Sequence, residues 1–182
     1  MDDTPSFRKL IEMVDAKKEV CQIELPITPS QCAPVFSTKT IDMHYGILYK
    51  NYIKKALAGE GPFQVAGATL HTLFFEQFKK PSPTNKPNGI SQELINRKFD
   101  NFANFKTEMK EAALGIHGSG WVYLSTSGAI KTIPNHKVVS DVAVIVDMWE
   151  HSYILDYGTN KDKYLKDIWQ IIDWDIINVR LN

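Results

Sequence analysis

Residues 118–147, GSGWVYLSTSGAIKTIPNHKVVSDVAVIVD, decide the fold class. They contain three runs rich in β-branched and aromatic residues: Trp121–Leu124, Ile130–Ile133 and Val142–Val146. Short runs of this composition, separated by Gly, Ser, Pro and Asn, are typical of strands joined by tight turns. The stretch therefore predicts a small antiparallel sheet of three strands.

Helical patterns lie on both sides of this sheet. Upstream, Ser37 or Thr38 can cap a helix whose positions Ile41, His44, Leu48 and Tyr52 fall on one face. The predicted helices cover about residues 37–59 and 65–78 before the sheet, two short helices that begin near 91 and 100, and 149–153 and 163–179 after it. The order predicts an α+β fold, an N-terminal helical hairpin followed by a mixed domain with a three-stranded antiparallel sheet flanked by helices.

The stretch Lys80–Gly89 contains three prolines and a glycine, which cannot continue a helix or a sheet ladder. It predicts a linker, and with it a division of the chain into an N-terminal extension (1–23), a helical hairpin domain (24–80), the linker (81–90) and a C-terminal α/β domain (91–182). In the extension, Phe7, Leu10, Ile11 and Val14 are spaced as one face of a helix.

Composition narrows the classes of protein. The chain of 182 residues is 43% hydrophobic, which is typical of a folded globular protein. Its 21 basic and 21 acidic residues balance, so no overall charge favours nucleic acid. The acidic start and the shortness of the longest apolar run predict a soluble, intracellular or cytoplasmic protein with no signal peptide and no membrane association. Cys21 and Cys32 form no metal-ligand spacing, which suits a reducing compartment.

The most pointed chemical feature is Asp147-Met148-Trp149-Glu150-His151, in which a strand ends in a carboxylate and a histidine follows four residues later. The two side chains can converge on one point and suit iron, manganese or zinc. Taken alone, the pair is a weak signal of a metal site, because such a pair is more often solvated or satisfied inside the core.

His44 and His71 each lie on the apolar face of a predicted helix, where an unpaired imidazole is costly. A lone buried histidine is usually satisfied by a core partner, but two of them together with Asp147 and His151 are explained most simply by a shared metal ion. The spacing of the four residues matches no zinc-finger pattern.

Over about residues 24–182 the sequence resembles the iron/manganese superoxide dismutases. The motifs that carry the resemblance are Asp147-x-Trp149-Glu150-His151, Gly118-Ser119-Gly120-Trp121, His71-Thr72-Leu73-Phe74 and the spacing Tyr164-x₄-Trp169-x₄-Trp174. The resemblance implies that His44, His71, Asp147 and His151 hold one iron or manganese ion, with a water or hydroxide as fifth ligand. It also implies that the ion cycles between trivalent and divalent states and converts superoxide to dioxygen and hydrogen peroxide, an antioxidant activity.

The same resemblance implies roles for residues around the metal. Tyr52 corresponds to the family's gateway tyrosine, and Trp121 to the indole that lines the pocket. Gly67 stands at the helix position where some members have a glutamine that hydrogen-bonds the bound solvent, and His136 stands at the alternative sheet position. We expect His136 to replace that glutamine, a pattern associated with iron-dependent or metal-tolerant members.

Two further residues concern assembly and substrate. Glu150 resembles a glutamate that bridges to the metal-ligating histidine of a second subunit, which implies a homodimer. Lys161 stands where an arginine usually steers the anion. Leu48 and Ile154 depart from the family, since they replace both halves of one hydrogen bond between subunits, and we interpret this as a repacked interface.

The leading hypothesis is an active dismutase. Its main rival is a structural or interaction protein that retains the dismutase fold without catalysis. A weaker alternative is another metal-dependent enzyme on the same scaffold.

Overall fold

The structure of the protein is a computed structural model, which describes residues 21–182. The helix predicted through Phe7, Leu10, Ile11 and Val14 lies outside the described residues. Within them, no helix is long and apolar enough to cross a membrane.

The order of the elements is the one that the sequence predicts: helices, then one small sheet, then helices again. In chain order they are α1 (Thr38–Met43), a π-helical stretch (His44–Tyr49), α2 (Lys50–Leu57), α3 (Pro62–Glu76), α4 (Gly89–Phe99), α5 (Phe102–Leu114), β1 (Gly120–Ser125), β2 (Ile130–Pro134), β3 (Val142–Asp147), α6 (Glu150–Tyr157), α7 (Lys161–Asp167) and α8 (Trp174–Leu181), with short 3₁₀ turns at Pro29–Cys32 and Ile168–Gln170. The α+β prediction is confirmed.

The sheet has the order β2-β1-β3 and is antiparallel throughout. The central strand β1 and the outer strand β3 are buried along their whole length, whereas most of β2 is exposed or half-buried. Asp147, the last residue of β3, pairs with Trp121 near the start of β1. The register therefore places a carboxylate and an indole side by side at one end of the sheet.

The first helical segment is not a uniform α-helix. Ser37 caps it as predicted, because its hydroxyl accepts a hydrogen bond from the Thr40 backbone N–H at 3.2 Å. From His44 to Tyr49 the backbone is π-helical, and a π turn holds one residue more than an α turn. The predicted single face through Leu48 is therefore wrong in part: Leu48 is half-buried, and Tyr49 is completely buried.

The helix predicted over 163–179 is interrupted between α7 and α8. The interruption is stabilised by the segment that precedes α4, since the Asn85 side chain donates to the carbonyls of Trp169 and Ile172 at 2.8 and 2.7 Å. Asp173 then caps α8 by accepting from the Asp175 backbone N–H. These partners are distant in the sequence, so periodicity alone cannot reveal the break.

Gln77, just after α3, fastens the helical hairpin to the sheet. Its side chain is fully buried and bonds both backbone groups of Ile145 on β3, donating at 2.5 Å and accepting at 3.2 Å. Arg180 of α8 donates to the Gln77 carboxamide and to the carbonyls of Leu73 and Ala143. Helix α3 is thus held in a fixed position against β3.

Candidate metal centre

Four side chains from four separate elements bring one donor atom each to the interface between the hairpin and the sheet. They are His44 from the π-helical stretch, His71 from α3, Asp147 from the end of β3 and His151 from α6. The four donor atoms lie within 4.8 Å of one another. Asp147 Oδ2 is 3.1 Å from His44 Nε2, 3.2 Å from His151 Nε2 and 3.8 Å from His71 Nε2.

Asp147 is held so that one carboxylate oxygen faces the imidazoles. Its Oδ1 accepts from the Trp149 backbone N–H at 2.8 Å, which leaves Oδ2 for the site. Its backbone carbonyl accepts from the hydroxyls of Tyr164 and Ser152 at 2.8 and 2.9 Å. These bonds orient both the strand end and the carboxylate.

The orientation of His71 is fixed by its own helix. His71 Nδ1 lies 2.7 Å from the Gly67 carbonyl, which can only accept, so Nδ1 carries the proton. Nε2 is therefore unprotonated, and its lone pair faces Asp147. Metal-bound histidines commonly have such a hydrogen bond to their second nitrogen.

Burial and mutual charge set the protonation of the group. Desolvation lowers the pKa of His44, and desolvation together with the neighbouring His44 lowers the pKa of His71 well below its ordinary value. Burial alone raises the pKa of Asp147, but His151 and His44 outweigh it and hold that pKa well below its usual range. The site therefore offers an anionic carboxylate beside the neutral imidazoles of His44 and His71, the states in which these side chains bind metals.

The ring nitrogens are poorly satisfied by protein atoms. Within the described part of the chain, His44 Nδ1, His44 Nε2 and His71 Nε2 are buried without a hydrogen bond. His44 Nε2 is near Asp147 Oδ2 but not aligned with it for hydrogen bonding. Ligands about 2.1 Å from one ion lie at most about 4.2 Å apart, so a small contraction makes the set fit a metal with nitrogen and oxygen ligands.

The structure also brings Trp121, His136 and Tyr52 together beside His71. Trp121 Nε1–H donates to His136 Nδ1 at 3.1 Å, and His136 Nε2 lies 3.0 Å from the Tyr52 hydroxyl. The Tyr52 ring stacks on His71 with centroids 5.1 Å apart. His136 is only 8% exposed, so it is not a surface turn histidine, and burial lowers its pKa to about 4.

Glu150 and Lys161 lie on the other side of His151. They line a pocket of about 410 Å³ together with Gly118, Ser119, Trp149, His151 and Tyr153. Glu150 is exposed, and the Lys161 ammonium lies 5.8 Å from the centre of the Tyr153 ring. The His151 side chain is 17% exposed, so this pocket reaches the edge of the ligand group.

Two residues near the site were not predicted from the sequence. Tyr49 is parallel to the His71 ring, with centroids 5.9 Å apart, and its hydroxyl bonds Thr72 Oγ1 at 2.6 Å. Phe63 packs on His136 with centroids 4.8 Å apart. Tyr49 is brought inward by the π-helical stretch, which has no recognised sequence signature, whereas Phe63 could have been suspected from its position next to the hairpin turn.

Comparison with known proteins agrees with this geometry. Residues 87–180 match the family described as iron/manganese superoxide dismutases, C-terminal domain. This match contains β1–β3 and both Asp147 and His151.

The similarity to individual relatives extends over most of the chain. The chain is 34% identical to a superoxide dismutase [Fe] of Bacteroides fragilis, with 87% of this chain and 97% of the relative aligned. It is also 34% identical to a superoxide dismutase [Mn/Fe] of Porphyromonas gingivalis, with the same shares aligned, and 27% identical to a superoxide dismutase [Fe] of Legionella pneumophila, with 87% and 96% aligned. With this coverage, and with the convergence of His44, His71, Asp147 and His151, the chain belongs to the iron/manganese superoxide dismutase family.

Proposed function

We propose that the protein is a superoxide dismutase in which His44, His71, Asp147 and His151 hold one iron or manganese ion. The observation that carries the proposal is the arrangement of three imidazole nitrogens around the buried oxygen Asp147 Oδ2. When bound, the ion would supply one-electron chemistry: it would accept an electron from one superoxide, releasing dioxygen, and return it to a second superoxide, which takes up two protons to become hydrogen peroxide.

The chain's own residues prepare the site for a small anion. His44, His71 and Asp147 are completely buried, so water has little access from the core side. The exposed edge of His151 lies in the pocket with Lys161, whose positive charge attracts an anion. Lys161 therefore serves substrate steering in this proposal.

Trp121, His136 and Tyr52 form the hydrogen-bonding side of the site. Their bonds fix the Tyr52 hydroxyl beside the His71 ring, so that a directed hydrogen-bonding group lies where charge develops on the substrate. The side chain at position 67 must be absent for this arrangement, because a Cβ there would lie 2.5 Å from Tyr52 Cδ1. The helix therefore cannot supply the usual glutamine while Tyr52 keeps this place, and His136 occupies the alternative position on the sheet side of the site.

We propose that the resident metal is iron, or that the enzyme accepts both iron and manganese. The presence of His136 at the glutamine position supports this, and the similar proteins of Bacteroides fragilis and Porphyromonas gingivalis are named as Fe and Mn/Fe enzymes.

The active form in this proposal is a homodimer bridged by Glu150. Its carboxylate is exposed next to the partly exposed His151, where a second copy can approach. Ile154 and Leu155, farther along α6, are 38% and 42% exposed and offer apolar surface for the same contact. An antioxidant role inside the cell is consistent with Cys21 and Cys32, which are both unpaired.

The decisive test loads the full chain separately with iron and with manganese, measures the metal content of each form and follows superoxide consumption. We expect about one ion per chain and activity with iron at least equal to that with manganese. Full occupancy without activity for either metal would contradict the proposal and favour a structural protein that retains the fold.

A further inference from the structure

The hydrogen bonds around His136 have a defined direction. The indole N–H of Trp121 can only donate, and it lies 3.1 Å from His136 Nδ1. Nδ1 must therefore be the unprotonated nitrogen of the ring, since a protonated Nδ1 would face another donor. A neutral imidazole with a bare Nδ1 carries its proton on Nε2.

The proton on Nε2 has a partner. The Tyr52 hydroxyl oxygen lies 3.0 Å from His136 Nε2, so the imidazole donates and the tyrosine accepts. Tyr52 makes no other hydrogen bond within the described residues, so its own O–H is left to donate elsewhere. The chain of donors runs from Trp121 through His136 to Tyr52.

Packing keeps the His136 ring in this orientation. One face stacks on Trp149, with centroids 4.5 Å apart and planes at 16°. Phe63 contacts the ring as well, with centroids 4.8 Å apart. Rotation of the ring would break two hydrogen bonds inside an aromatic enclosure.

An imidazole in this state differs from the carboxamide that it replaces. A glutamine has two N–H donors and can serve Tyr52 and a second acceptor together, whereas a neutral histidine has one. The single N–H of His136 is already committed to Tyr52. This step rests on the proposed dismutase function. In that function, His136 cannot donate to both Tyr52 and a second acceptor as a glutamine can.

We propose that His136 is a positioning residue, fixed as the Nε2–H tautomer by Trp121, which orients Tyr52 so that the tyrosine hydroxyl is the donor presented to the substrate anion. His136 acts through Tyr52 and donates to no second acceptor in the site.

The test uses the full chain with ¹⁵N-labelled histidine, loaded with zinc, which has no unpaired electrons. Two-bond ¹⁵N–¹H correlation spectra report the tautomer of each ring, and the signals missing from a His136→Gln variant identify those of His136. We expect a protonated Nε2 and a bare Nδ1. A protonated Nδ1 would overturn the proposal.

Two variants test the partners. Trp121→Phe should release the ring, so that both tautomers are populated, while the control Trp169→Phe removes a buried indole N–H that has no partner within the described residues and should leave the His136 signals unchanged. Tyr52→Phe should speed exchange of the Nε2 proton with solvent by about fivefold to tenfold, as expected for loss of one hydrogen bond. Unchanged His136 signals in both Trp121→Phe and Tyr52→Phe would reject the proposed chain.

These measurements are independent of turnover because the zinc form is redox-inactive. A protein without dismutase activity whose His136 is an Nε2–H tautomer would refute the proposed function but uphold the geometry inferred for His136. An active enzyme with a protonated Nδ1 would refute the inference alone.

Discussion

Asp147 is the single anionic member of the ligand group, and three imidazole nitrogens surround its Oδ2. An Asp147→Asn change keeps the shape but removes the negative charge that a cation requires. We expect metal affinity to fall by at least about 100-fold, since even residues that only orient a ligand typically cost 10- to 100-fold when changed. Elemental analysis after dialysis against a weak chelator measures the loss.

Asp141→Asn is the matched control for Asp147. Asp141 is an aspartate that pairs with Lys131 at 2.6 Å at the surface and lies outside the ligand group. This variant should keep normal metal content. Equal retention of metal in both variants would show that the ion is bound elsewhere.

Gly67 lies so close to the Tyr52 ring that a larger residue does not fit there. A Cβ at this position would meet Tyr52 Cδ1 at 2.5 Å, whereas one at Gly46 would meet nothing within 4 Å. We expect Gly67→Ala to lower the free energy of unfolding by about 1–3 kcal/mol through overpacking. Gly46→Ala should be neutral or raise it by up to about 1 kcal/mol, because alanine is the better helix former.

Chemical denaturation of the metal-loaded proteins compares these two glycine variants. Identical unfolding midpoints would show that Tyr52 can move aside at little cost, and hence that its position against α3 is not fixed.

At the level of elements, Gln77 joins α3 to β3 and so fixes His71 relative to Asp147. Gln77→Ala would leave the backbone groups of Ile145 and part of the Arg180 guanidinium without their buried partner. We expect a loss of about 2–4 kcal/mol in the free energy of unfolding. The control Gln92→Ala, at an exposed position of α4, should change it by less than about 0.5 kcal/mol.

The same elements show how far sequence reasoning reaches. The three strands were predictable because their β-branched runs and turns are local signals, and the predicted α+β order is confirmed. The π-helical stretch and the break before α8 were not predictable. Tyr49 gains its buried place from a change in backbone pitch, and the break depends on Asn85, which is more than 80 residues away.

The candidate site, too, could be predicted from the sequence only in part. The ligand set His44, His71, Asp147 and His151 was recognisable from motifs, and the structure brings its donor atoms together. The hydrogen bond between His136 and Tyr52 joins residues 84 positions apart. Which of the two donates could therefore be inferred only from the three-dimensional structure.

For the whole molecule, the ligand group connects distant parts of the chain. His44 and His71 precede the predicted linker, and Asp147 and His151 follow it. A bound ion therefore links the helical hairpin to the sheet, and its binding free energy adds to the stability of the folded chain. The division of the chain into domains stays a prediction, but a metal at this place would make the two parts cooperative.

The proposed dimer gives the last prediction. Glu150→Ala removes the carboxylate that we expect to reach His151 of a second copy, so dimerisation and activity should weaken together. Loss of one partner of a charged interface bond costs about 2 kcal/mol or more, which corresponds to at least about a 30-fold rise in the dimer dissociation constant. Analytical ultracentrifugation measures this constant. Asp162→Ala, which also removes an exposed acidic residue from the first turn of a short helix, is the control and should leave the dimer intact. A Glu150→Ala protein that is monomeric and fully active would refute the bridge.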